Sequence, residues 1–125
     1  MNENKIGTAC ISAAMKVHSA LGPGLLEAAY EACLTHELIK AGLRVQRQIS
    51  LPVIYDGERI DAGFRIDLLV ENMVVLELKT VEAIHPLHIA QLLTYLRLGN
   101  FKLGYVFNFN VDSMRDGIKR VVNGL

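Results

Sequence analysis

The chain has 125 residues, 51% of them hydrophobic, with 13 basic and 13 acidic side chains and a formal net charge of zero. One domain with a real core is expected over residues 1–125, and a disordered chain is excluded. Zero net charge argues against strong nonspecific nucleic-acid binding by global electrostatics. No apolar run reaches the roughly 18 residues that cross a bilayer, so no membrane association is expected. The start, Met1-Asn2-Glu3-Asn4-Lys5, lacks the basic-then-apolar pattern of a signal peptide, and a cytoplasmic location is expected.

In chain order, the spacing of Ile6, Cys10, Ala13, Val17 and Leu21 predicts a first helix from near Glu3 to Ala20. Gly22-Pro23-Gly24 stops it. A second helix runs to about Ala41, with Gly42 as its C-terminal cap. Leu43 to Tyr55 reads as extended, and Pro52 marks an edge position. Asp56-Gly57 is a hairpin signal, followed by strands from about Arg59 to Val70 and from Met73 to Val81. Pro86 opens a third helix that ends at Gly99-Asn100. Leu103 to Phe109 is another strand, and Asp112 to Leu125 fits a short helix or a strand. The order α, α, β, β, β, α, β gives an α/β (α+β) fold with a mixed central sheet flanked by helices. Cys10 and Cys33 are the only cysteines and read as reduced, buried thiols; a disulfide framework or zinc site needs more ligands.

The segment Asp67 to Lys79 sets two carboxylates and an amine among apolar residues. In a strand, successive side chains alternate faces. Phe64, Ile66, Leu68 and Val70 then share one face, and Arg65, Asp67 and Leu69 the other. In the next strand Val75, Glu77 and Lys79 lie opposite to Val74, Leu76 and Leu78. A three-residue loop centred on Asn72 sets Leu68 against Leu76, Ile66 against Leu78 and Asp67 against Glu77. A two-residue turn would mix the faces, so the apolar pattern favours this register. Two facing carboxylates repel unless something positive lies between them. A divalent cation fits there, since Mg²⁺ takes one or two carboxylates plus water and phosphate. A solvated strand face with an ordinary Glu–Lys neighbour fits the spacing as well.

Two helical stripes border these strands. Glu27, Tyr30 and Glu31 share a face of the second helix; by spacing alone Glu27 reads as solvated. On the third helix Ile89, Leu92, Leu93 and Leu96 form a core face. His88, Gln91 and Tyr95 form a flanking stripe that suits either a cleft border or a plain amphipathic boundary. His85 and His88 have no partner at metal-ligand spacing, and no zinc site is expected.

Asp67-x9-Glu77-x-Lys79 resembles the signature of the PD-(D/E)XK nuclease superfamily, with Ile66 where the name has proline. Gly24-Leu25-Leu26-Glu27-Ala28-Ala29-Tyr30 matches the GxxExxY motif of a family of small bacterial proteins assigned to that superfamily. The resemblance runs from about Ile11 to Gly124. Gln91-x3-Tyr95 is similar to a QxxxY element in one branch of these nucleases. The resemblance implies a restriction-endonuclease-like α-β-β-β-α-β core and metal-dependent hydrolysis of phosphodiesters. It implies Asp67 and Glu77 as ligands of Mg²⁺ or Mn²⁺, with Glu27 as a third or outer carboxylate and the Leu78 carbonyl completing the shell. It further implies Lys79 beside the attacking water, and Gln91 and Tyr95 placing that water or the scissile phosphate. Tyr30 is expected to pack or to orient Glu27, and Gly24 to let the helix start sit close to the sheet. The implied partner is nucleic acid, DNA ahead of RNA, with the chain working as a homodimer or within a larger complex. The alternative is a non-catalytic nucleic-acid or partner-binding module that keeps the fold and the metal site.

Overall fold

A computed structural model describes residues 2–125; Met1, counted in the expected domain and in the reading of the N-terminus, lies outside the described residues. Helix α1 covers Glu3–Leu21, opened by Asn2, whose Oδ1 accepts from the Lys5 amide at 3.0 Å. Helix α2 covers Glu27–Lys40. It ends as the glycine after it predicts: Gly42 takes φ 87°, and the Leu43 amide donates back to the Leu38 carbonyl at 3.1 Å. Strands β1 (Val45–Tyr55), β2 (Glu58–Val70) and β3 (Val74–Lys79) follow, then helix α3 (Pro86–Gly99) and strand β4 (Leu103–Asn108). The ambiguous tail is both of its alternatives in turn, a 3-10 turn at Met114–Gly117 and strand β5 at Ile118–Val122.

The five strands form one mixed sheet in the order β1-β2-β3-β4-β5. β1, β2 and β3 run as an antiparallel meander, β4 is parallel to β3, and β5 closes antiparallel. The parallel pair is joined through α3, as parallel neighbours require a crossover. β1 is an edge strand, in keeping with Pro52. The α+β fold with a helix-flanked mixed sheet is therefore as expected.

Two apolar layers hold the sheet. On one face α1 and α2 contribute Ile6, Cys10, Val17, Tyr30, Leu34 and Leu38 against Leu68, Val70, Leu76, Leu78 and Phe107. On the other, α3 contributes Leu92, Tyr95 and Leu96 against Ile66, Leu69, Val75 and Val106. Gly104 makes the second layer possible: a Cβ there would sit 3.0 Å from a Leu92 methyl and 3.2 Å from one of Leu96. No helix among the described residues is long and apolar enough to cross a membrane.

The expected register between β2 and β3 holds where they pair: Leu68 opposes Leu76, Leu69 opposes Val75 and Val70 opposes Val74. The loop is Glu71-Asn72-Met73, with Glu71 and Asn72 both left-handed at φ 52° and 54°. The expected face sharing along β2 fails. Phe64 and Ile66 pack with α3, whereas Leu68 and Val70 pack with α1 and α2. Strict alternation cannot put Ile66 and Leu68 on opposite faces, so the strand is irregular at Asp67, and the pairing of β2 with β3 stops there. Of the two cysteines, Cys10 is buried and free, its thiol pushed up to about 12 by burial; Cys33 is free but only half-buried, contrary to expectation.

Candidate active site

The break in β2 builds the site. Past Leu68–Leu76 the strands part, and the Leu78 amide donates not to a strand carbonyl but to Asp67 Oδ2, at 2.9 Å. Asp67 is thereby fixed at the mouth of a cavity of about 260 Å³, lined by Glu27, Ala28, Glu31, Gln48, Asp67 and Leu78. Glu77 comes from the neighbouring strand and is only 6% exposed. Its Oε1 is buried with no hydrogen-bond partner. Burial first, then the Asp67 charge, pushes the Glu77 carboxyl up to about 10. Lys79 follows at the end of β3, half-buried, and its charge draws the Glu77 carboxyl back down.

The end of β3 is clamped by a residue that sequence reasoning passed over. Asn108 is almost wholly buried; its Nδ2 donates to the Val81 carbonyl at 2.9 Å and its Oδ1 accepts from the Val81 amide at 3.1 Å. The Phe109 amide donates to the Lys79 carbonyl at 3.0 Å. These three bonds fix the chain that carries Lys79. A lone Asn closing a strand carries no pattern that would single it out.

The other expected residues divide. Glu27 opens α2 at the rim of the cavity, and its carboxyl is pushed up by partial burial, then by Asp67. Tyr95 is buried at 6% exposure, tilted against Phe64 with ring centroids 5.9 Å apart. Its hydroxyl feels burial first, then the charges of Glu77 and Asp67, all of which push its pKa up. Gln91 is exposed one turn earlier, in a separate groove with Leu87, His88, Ala90 and Thr94. Among the described residues no hydrogen bond joins Gln91 to the carboxylates.

Tyr30 packs. Its ring stacks on Phe109 at 4.5 Å, and its hydroxyl donates to the Gly22 carbonyl at 2.6 Å and accepts from the Leu25 amide at 3.2 Å. Gly24 does not serve close approach, since a Cβ there would meet nothing within 4 Å; its φ of 101° is what requires glycine.

Sequence reasoning also missed the partners of Glu31. Arg47 donates to Glu31 Oε2 through Nε at 3.1 Å and a terminal nitrogen at 2.9 Å. Gln48 Nε2 donates to Glu31 Oε1 at 2.6 Å and lies 3.5 Å from Asp67 Oδ1. The register between β1 and β2 hides this. Carried on from Val53–Ile60, the Asp56-Gly57 hairpin would set Gln46 against Asp67. A shift at Pro52, opposite Asp61 to Gly63, sets Gln48 there instead.

Among the described residues no group of three or more His, Cys, Asp or Glu converges tightly enough to hold a metal ion. The pair Asp67 and Glu77 still suits a hard cation. A buried carboxylate oxygen without a donor lacks compensation that a cation would supply, and Mg²⁺ needs only one or two carboxylates.

A carboxylate pair and a lysine at the parting of two strands, on an α-β-β-β-α-β frame, define a nuclease-like class of domain. The sequence model of the PD-(D/E)XK nuclease superfamily matches residues 4–121, and the chain belongs to that superfamily. Its fold is the restriction-endonuclease-like one. Nucleases of this superfamily act on nucleic acid and generally use divalent metals such as Mg²⁺. No curated protein and no solved structure matches the chain.

Proposed function

We propose that this protein is a metal-dependent nuclease that hydrolyses phosphodiester bonds, with DNA ahead of RNA as substrate, acting as a single cytoplasmic domain of the GxxExxY family. The observation that carries this reading is Glu77: a buried carboxylate with an unpaired oxygen, beside Asp67 and two residues before Lys79. Asp67 and Glu77 are the ligands of Mg²⁺ or Mn²⁺, with Glu27 as an outer carboxylate and the Leu78 carbonyl as a further donor. The chemistry such a cation supplies is polarisation of the phosphate and acidification of the attacking water.

The chain's own residues do the rest. Leu78 N–H holds Asp67 Oδ2, while Asp67 Oδ1 lies against the Gln48 amide, another residue of the cavity lining. Lys79 acts electrostatically, its ammonium facing the charge that develops on the phosphate. Tyr95 walls the site on the α3 side, excluding water behind Glu77. Gln91, on the exposed flank of α3, meets the substrate rather than the carboxylates.

The test is cleavage of labelled single- and double-stranded DNA and RNA with Mg²⁺ or Mn²⁺, beside Asp67→Ala and Lys79→Ala. Metal-dependent cleavage lost in both variants supports the nuclease and names its substrate. No cleavage by wild type, with metal binding lost in Asp67→Ala, moves the reading to a binding module on the same fold.

A further inference from the structure

We infer that Gln48 is a positioning residue for the cation site, an inference that rests on the metal-dependent reading above. Among the described residues, five besides the glycines have left-handed backbone: Gln48, Asp56, Glu71, Asn72 and Asn100. Asp56, Glu71 and Asn72 lie in turns and Asn100 caps α3; Gln48 alone lies inside a strand, at φ 53°. A residue with a Cβ adopts this region at a cost, and such strain persists where the surroundings demand it.

The strained residue reverses the pleat. Arg47 opposes Leu68 and reaches Glu31 on α2, whereas Ile49 opposes Ile66 and packs on the α3 side. Gln48 therefore stands against Asp67 at the point where both strands change face. Its amide nitrogen bridges two carboxylates, 2.6 Å from Glu31 Oε1 and 3.5 Å from Asp67 Oδ1. The remaining oxygen of each is held elsewhere, by Arg47 on Glu31 and by Leu78 N–H on Asp67.

An amide is the suitable group here. It donates to both carboxylates yet carries no charge, so it orients Asp67 without neutralising it against a cation. It also anchors Glu31 at the cavity edge. If the backbone turn were the whole purpose, glycine would serve without strain. What glutamine adds is the donor.

The experiment compares wild type, Gln48→Gly and Asp67→Ala by Mn²⁺ calorimetry and thermal melting. Gln48→Gly is expected to melt at or above wild type, because it relieves the left-handed strain. Its Mn²⁺ affinity is expected to fall at least ten-fold. Unchanged affinity overturns the inference, and so does a fall accompanied by a lower melting temperature, which marks a merely structural residue. Wild type that binds no Mn²⁺ overturns the metal reading and the positioning role with it, an outcome distinct from either of those.

Discussion

The backbone amide of Leu78 donates to Asp67 Oδ2 over 2.9 Å at the place where β2 and β3 cease to pair. That bond replaces a strand-to-strand contact with a side-chain one. It fixes a carboxylate against the strand that carries Glu77 and Lys79, and adds that carboxylate's charge to the burial that, first of all, pushes Glu77 toward its protonated form.

Replacement of Asp67 should separate charge from structure. Asp67→Asn keeps an acceptor for Leu78 N–H, so urea unfolding should place it within about 0.5 kcal/mol of wild type. Its Mn²⁺ affinity by calorimetry should fall at least about ten-fold. Lys79→Ala should instead keep metal affinity and lose roughly 100-fold in cleavage rate, the cost typical of removing one electrostatic donor.

Glu77 gives the metal-free protein a characteristic pH dependence. Its folded carboxyl is raised from 4.5 to about 10, so the folded state holds a proton that the unfolded chain releases. Stability should then be highest below about pH 4.5 as far as this group is concerned, and decline as pH rises toward 10. Glu77→Gln should abolish that slope and stabilise the apo protein at pH 7 by about 1–3 kcal/mol. Urea unfolding of both proteins from pH 5 to 9 measures it; parallel profiles would contradict the assignment.

Tyr30 predicts loss of stability without loss of chemistry. Tyr30→Phe keeps the stack on Phe109 but removes both hydrogen bonds to the Gly22–Leu25 loop. The expected cost is about 1–2 kcal/mol in unfolding free energy. The specific activity of the folded protein should stay within about two-fold of wild type, because the hydroxyl bonds the loop rather than the carboxylates.

The start of α3 should loosen in acid. His85 Nδ1 accepts from the Leu87 amide at 3.1 Å, and His88 Nδ1 accepts from the His85 amide at 3.0 Å. The His88 ring must be neutral to accept. Burial first, then Lys79 and His85, lowers His88 from its usual 6.5. A group depressed in this way contributes stability that is full above about pH 6.5 and is lost as pH falls through the lower folded value. His88→Ala should cost about 1 kcal/mol at pH 7 and flatten the acid limb. Amide exchange protection across the first turn of α3, between pH 5 and 7, reports both.

The element order as far as β4, the loop at Asn72 and the Leu68–Leu76 register were legible in the sequence, and so was the spacing that singles out Asp67, Glu77 and Lys79. Each rests on a local rule: helical or strand periodicity, a residue that tolerates left-handed backbone, an apolar pattern that permits one register. The break at Asp67, the strained Gln48 opposite it, the capture of Glu31 by Arg47 and Gln48, and the placement of Gln91 in a separate groove emerge from the packed fold. The reason lies in counting. Face assignment along a strand assumes an unbroken ladder, and two irregularities, at Pro52 and at Gln48–Asp67, shift the register and then reverse the faces. Both show only in how β1 and β2 pair and in which helix each residue packs against, relations between residues distant in sequence that local spacing does not encode.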